Sequence, residues 1–325
     1  MTLAEKVSVV IPTFNAGSGF EELLWKLDSQ EGDFEREVVV VDSGSTDGTM
    51  EVAARHGATL HRVPKAGFNH GATRDVGVSV SSGEYIALTV QDALPLDTRW
   101  LAAMVENLQR DKRVAAVYGR HVPRPDAGVM TRALVGNLAV AGPERRVQEI
   151  QDKAHYLSLP PAQRRRFAAF DNVSSCLRRS VWEEFPFGEA DFAEDLRWGK
   201  KVVEAGYRIV YEPRSVAVHS HERGVLYDLR RHYVDQLVLD ELFGALMVPN
   251  LPRLILGLPY AARHVYILLR REDPAPEKRP GLLLDAATYA LASQLGAYLG
   301  AKLPSISRLS PKLHAKLHRL LGEGI

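Results

Sequence analysis

The chain has 325 residues, 46% of them hydrophobic, so it can bury a full core and hold one large or two ordinary domains; a disordered chain is excluded. Lysine and arginine number 41 against 40 acids, and a net charge of +1 gives no reason to expect nucleic acid as a partner. The single cysteine, Cys176, forms no internal disulfide, and the N-terminus lacks the long apolar region of a leader, so a reducing, cytoplasmic setting is expected.

In chain order, residues 7–11 read as an apolar strand that breaks at Pro12, Thr13, Phe14 and Asn15. Leu23, Leu24 and Leu27 then carry a helical period to about Gln30. Residues 38–41 are valines without polar alternation, which suits a strand covered on both faces, and the run stops at Asp42. Ligands of parallel sheets sit at the carboxyl ends of strands, so Asp42 is a candidate ligand residue. Equally, Asp42 and Ser45 suit capping of a helix that begins near Asp47.

A helix is expected over residues 48–56, a strand over 60–63, a helix through Arg74 and Val78, and a strand over 85–90 that runs into Gln91 and Asp92. If the sheet is parallel there, that strand end puts Asp92 on the same rim as Asp42. The alternation implies an α/β fold, with a Rossmann-like, mostly parallel central sheet flanked by helices. No Gly-x-x-x-x-Gly-Lys-Ser/Thr occurs, and Gly17-Ser18-Gly19 lacks a third glycine, so neither a P-loop nor a dinucleotide fingerprint is supported.

Residues 120–171 are less regular and carry Arg145-Arg146 and Arg164-Arg165-Arg166: either a mobile loop that meets a phosphorylated carrier or a solvated basic face. Cys176 reads as a small core residue. Glu194 and Asp195 precede a helical pattern through Trp198, Val202 and Val203 that Gly206 closes. A strand over 207–211 and a Glu212-Pro213 turn lead to an extended segment in which His219 and His221 share a face, a spacing that suits a metal edge.

After Arg223 the pattern becomes helical, with candidates at 237–248, 254–269 and 282–299. Arg253, Arg263, His264 and Asp285 interrupt any membrane span, and a dimer interface is as ready a use for these helices as a membrane contact. Residues 302–322 contain no acid, and Leu313, Leu317, Leu320 and Leu321 follow a helix start at Ser310-Pro311. Such a helix lies in anionic headgroups or docks on the protein's own core.

Four motifs in order, Val10-Ile11-Pro12-Thr13-Phe14-Asn15, Val41-Asp42-Ser43-Gly44-Ser45-Thr46-Asp47-Gly48-Thr49, Gln91-Asp92-Ala93 and Glu194-Asp195, resemble the inverting family 2 glycosyltransferases of GT-A fold, over residues 6–222. Phe68-Asn69-His70-Gly71-Ala72-Thr73-Arg74-Asp75 with Thr89-Val90-Gln91-Asp92-Ala93 is most similar to the rhamnosyltransferase branch.

The resemblance implies a catalytic domain over 1–223, with a nucleotide-sugar half to about 95 and an acceptor half from 96, followed by a helical region over 224–325. It implies a dTDP- or UDP-sugar donor held by Pro12, Thr13, Asn15, Asp42, Gly44, Ser45, Asn69, His70, Arg74 and Gln91. Arg74 would bind phosphate oxygens, or else form a helix-surface ion pair.

Asp92, with His219 or His221, would hold Mg²⁺ or Mn²⁺, although Leu94 stands where a second aspartate is usual; the other reading has Asp92 cap the turn before Trp100. Asp195 would be the general base, Glu194 its assistant, and Asn172 and Trp198 would lie on the acceptor side. The acceptor would be a saccharide or lipid-linked glycan, met at the inner face of the cytoplasmic membrane. The rival readings are a non-catalytic sugar-nucleotide or membrane-binding subunit and a nucleotidyltransferase; the latter would want a basic, glycine-rich loop where Pro12 to Asn15 stand.

Overall fold

The computed structural model describes residues 5–273, 275 and 281–322; residues 1–4, part of the stretch read for a leader, lie outside the described residues. The first half of the chain alternates: β1 (Glu5–Thr13), α1 (Gly19–Asp28), β2 (Phe34–Asp42), α2 (Thr49–Arg55), β3 (Thr59–Arg62), α3 (His70–Ser79) and β4 (Tyr85–Thr89). Next come β5 (Leu94–Pro95), α4 (Trp100–Arg110), β6 (Val114–Val122), α5 (Val129–Gly136), β7 (Arg146–Gln148), α6 (Lys153–Ser158) and α7 (Pro161–Phe167). Then follow β8 (Ser174–Arg178), α8 (Arg179–Glu184), α9 (Glu194–Glu204) and β9 (Arg208–Val218). Among the described residues four helices follow: α10 (Val225–Phe243), α11 (Leu251–Glu272), α12 (Leu282–Leu309) and α13 (Pro311–Gly322).

The strands form one sheet in the order β3-β2-β1-β4-β8-β6-β9-β5, with β7 paired on β9. It is parallel from β3 to β4. Beyond that point it is mixed, because β8 runs antiparallel to both β4 and β6 while β6 and β9 are parallel. The α/β expectation holds, and its parallel part is the first four strands.

The valine runs lack alternation because both faces of the sheet are covered. Val7, Val9, Ile11 and Val40 pack with Phe20, Leu23 and Leu27 of α1 and with Trp100 and Leu101 of α4. Val10, Val39, Val41, Ile86 and Leu88 pack on the other face with Val78 of α3 and Trp198 of α9. At about 1.5–3 kcal/mol for each buried large aliphatic side chain, these layers outweigh the polar residues at the rim. The β1/β2 register runs from Glu5 opposite Phe34 to Thr13 opposite Asp42, so Thr13 and Asp42 end side by side.

Three expectations are corrected. Glu212-Pro213 is no turn: β9 passes through it, and the pairing with β6 jumps from Gly119 opposite Glu212 to Arg120 opposite Val216. A bulge there accommodates a proline that has no N–H for the ladder. Residues 120–171 hold regular elements rather than an open loop, and of the later helices α12 runs on to Leu309 while α10 begins at Val225 and stops at Phe243, short of the expected end at 248.

The chain forms two compact units. One comprises the chain up to Val122, Ala139–Leu159 and Gln163–His219; the other comprises Pro123–Leu138, Pro160–Ala162 and the chain from Ser220 on. The first contains the sheet. The second has its own core, in which Ala133 of α5 meets Val265, Leu268 and Leu269 of α11 and Leu282 and Ala286 of α12. Among the described residues no helix is long and apolar enough to cross a membrane.

Candidate active site

Three loops meet at the carboxyl ends of β1, β2 and β4. Asp42, only 1% exposed, accepts from Gly44 N and Ser45 N, each at 2.9 Å, from Thr13 Oγ1 at 3.0 Å and from Ser45 Oγ. Burial works against its charge, but the Ser45, Gly44 and Thr13 hydrogen bonds prevail and hold the carboxyl below its usual range. All four acceptor positions of a carboxylate are thus met inside the protein. Asp42 shapes the loop, and contact with a ligand would require one donor to let go. The N-cap of α2 is the left-handed Gly48, without a side-chain cap, and Asp47 Oδ1 just before it accepts from Thr49 N at 3.2 Å.

Asn15 lies at φ +45°, a left-handed conformation that asparagine tolerates. Its N–H donates to Ser45 Oγ and its Oδ1 accepts from Thr46 N, both at 2.8 Å. Gln91 Oε1 accepts from Phe14 N at 2.8 Å. The rim is therefore one hydrogen-bonded surface, with Pro12 and the left-handed Gly44 along it.

The N-terminus of α3 sets the other side. Asn69 Oδ1 accepts from Ala72 N at 3.1 Å and from Ala190 N at 2.8 Å, while its Nδ2 donates to Asp191 Oδ1 at 2.8 Å. Asp75 accepts from Trp182 Nε1, Phe187 N and Gly188 N. Gly71 lies so close that a Cβ there would come within 2.0 Å of Gly188 O. The segment before α9 is thereby pinned to α3.

Arg74, 5% exposed, places Nη1 3.0 Å from Glu194 Oε1 and donates to His70 O. It is a buried pair, neither a surface one nor an open phosphate fork. Ala193 precedes α9 at φ +56°, strain that the pinned segment sustains. Asn172 Nδ2 donates to Glu194 Oε1 at 3.1 Å. Burial resists the Glu194 charge, yet Arg74, Asn172 and His70 keep its carboxyl below the usual range.

Asp195 goes the other way. Burial, the charge of Glu194 and that of Asp171 push its carboxyl well above the usual range, although Leu196 N donates to its Oδ1 at 2.6 Å. Asp171 Oδ2 is 3.8 Å from His121 Nδ1, the His121 ring is edge-on to His219 at 6.2 Å, and His219 Nε2 is 3.6 Å from Asp92 Oδ1. A polar line therefore runs from Asp92 to Asp195 within the first unit. The Asp92–His219 pair is a possible metal site, since carboxylate and imidazole both suit a divalent ion.

Residues 8–171, about half of the chain, match the family model described as Glycosyl transferase family 2. The chain belongs to that family. The chain is 28% identical to the O-antigen chain rhamnosyltransferase RfbN of Salmonella typhimurium, over 70% of each chain. Identity to the O-antigen chain rhamnosyltransferase WbaN of Salmonella anatum is 26%, again over 70% of each. Among solved structures, the mannosyltransferase PcManGT of Pyrobaculum calidifontis, in complex with GDP-Man and Mn²⁺, is similar at TM-score 0.51 and 22% identity, covering 97% of this chain and 79% of that one. Residues 1–349 of S. aureus TarS with UDP are similar at TM-score 0.51 and 17% identity, covering 89% and 90%. The fold is the GT-A fold.

Within this glycosyltransferase some expected residues are placed differently. Trp198 is fully buried, donates to Phe185 O and packs against Phe170 and Phe187, so it supports α9 from the core. Asn172 is buried and holds Glu194 through its Nδ2. Asp97, not Asp92, prepares α4, accepting from Arg99 N. Cys176 is buried with its thiol pushed up, an inert core residue. His121 was not expected: it stands near the end of β6, and the only signal for it was the apolar strand pattern from Val114, which makes the following polar residues rim residues.

Proposed function

We propose that this glycosyltransferase moves a sugar, rhamnose in first place, from a dTDP- or UDP-sugar to a saccharide or lipid-linked glycan acceptor, with inversion at the anomeric carbon. Two O-antigen rhamnosyltransferases among the relatives support the sugar and the acceptor class. PcManGT carries GDP-Man and TarS UDP-GlcNAc, which supports a nucleotide-sugar donor on the rim of Pro12, Thr13, Asn15, Gly44, Ser45 and Gln91.

The observation that carries the mechanism is the divergence of two adjacent carboxyls. Glu194 is paired with Arg74 and Asn172, which hold its carboxyl below the usual range, while burial and the charge of Glu194 push Asp195 well above it, the direction that makes a carboxylate a stronger base. An Asp195 carboxylate oxygen takes the proton of the acceptor hydroxyl as the hydroxyl oxygen bonds to the anomeric carbon. The bond from that carbon to the diphosphate breaks on the opposite side, and its electron pair leaves with the nucleoside diphosphate. Arg74 acts by fixing Glu194, and His70 stands beside the same carboxylate.

Asp92 and His219 would hold Mg²⁺ or Mn²⁺. When bound, such an ion supplies positive charge to the departing diphosphate. Catalysis belongs in this reading to the chain up to about residue 223. Asp195→Asn is expected to lower transfer by about 10²- to 10⁴-fold while nucleotide-diphosphate affinity stays nearly constant, measured by product formation and calorimetry. Unchanged turnover would remove the base. Leu94 in place of a second aspartate keeps one other reading, a non-catalytic donor-binding subunit; it predicts nucleotide binding without transfer to any acceptor.

A further inference from the structure

The second unit ends in a helix with two different faces. On α13, Leu321 is buried and His318 Nδ1 lies 3.2 Å from Tyr233 Oη of α10, so one face docks on the unit itself. Leu313 and Leu320 remain 48% and 64% exposed, and Leu309, at the end of α12, is 87% exposed. Lys312, Lys316 and Arg319 recur at positions i, i+4 and i+7, a stripe beside these leucines, and all three are exposed. No acid occurs from residue 302 to 322.

We infer that the outward face of α13 lies on a lipid bilayer bearing anionic headgroups. Outward leucines bordered by a purely cationic stripe are what an in-plane interfacial helix presents, with the leucines below the headgroups and the lysine stems reaching up to them. A second copy of the chain is the poorer occupant. A two-fold contact would set the cationic stripe against itself with no acid on α13 to answer it. The inference goes beyond the transfer reaction, because none of these residues belongs to the sheet-bearing unit.

The test is flotation of the full chain with vesicles of phosphatidylcholine alone and of phosphatidylcholine with an equal part of phosphatidylglycerol. Binding is expected only to the anionic vesicles, weakening as salt screens the charges. Lys312→Gln with Lys316→Gln and Arg319→Gln should lower partition roughly a hundredfold, at about fivefold per charge. Leu313→Ser with Leu320→Ser should lower it by roughly tenfold or more. Both variants should keep the wild-type melting temperature and helix content, since every altered side chain is exposed.

Asp195→Asn should float as the wild type does, so loss of transfer and loss of lipid binding are read separately. Equal binding to both vesicle types, or full binding by either variant, overturns the inference. So does a lipid-free dimer that the leucine variant dissociates, which would give this face to a second copy.

Discussion

Asp195 and Glu194 are neighbours on one helical turn, yet the structure treats their charges oppositely. The folded Asp195 keeps its proton to higher pH than an unfolded aspartate does, so between those two values the folded state binds more protons and stability falls as pH rises. Asp195→Asn should therefore raise the melting temperature near neutral pH, with the gain vanishing below the ordinary aspartate value of 3.8, read from melts across pH. Glu194 obeys the reverse sign, and its partner decides the size. Arg74→Met would leave Glu194 buried without its cation, a loss of about 3–5 kcal/mol in urea unfolding. Adding Glu194→Gln should recover most of it; additive losses would show that the pair is not coupled. The motif spacing made Asp92 and Asp195 legible as candidates, but it carried nothing about the Arg74–Glu194 pair, which joins residues 120 apart in sequence. The burial of Trp198 was illegible for a related reason: helical period tells which residues share a face, not whether that face meets a core or a cleft.

At the scale of elements, the site depends on how closely α3 lies against the segment before α9. Gly71→Ala would drive a Cβ into the Gly188 carbonyl and should cost about 1–3 kcal/mol, with transfer falling as residues 187–191 lose their hold on α3. Gly19→Ala, where nothing lies within 4 Å, is the control and should leave both unfolding and transfer near wild type. The strands of the first half were legible because burial on both faces writes an uninterrupted apolar run. β9 was misread because proline looks like an end, and only the pairing with β6 shows that a bulge absorbs it. The elements of 120–171 were missed because α5, β7, α6 and α7 are each too short to display a period.

At the scale of the whole molecule, the rim and the polar line draw on β1, β2, β4, β6 and β9, so a ligand held there should stabilise the first unit as a body. A nucleoside diphosphate at about a hundred times its dissociation constant adds roughly 2.7 kcal/mol, which for a unit of this size is a rise of about 5–10 °C. The expected pattern in thermal melts is a rise with UDP or dTDP and a further rise when Mn²⁺ or Mg²⁺ is added. Asp92→Ala and His219→Ala should each abolish the further rise and keep the first, because neither residue belongs to the loops of β1 and β2. If the metal increment survives Asp92→Ala, the ion is held elsewhere and the Asp92–His219 pair serves the sheet edge alone. If both increments vanish, the loop after β4 supports the nucleotide itself, through Gln91 and its bond to Phe14, rather than through the ion.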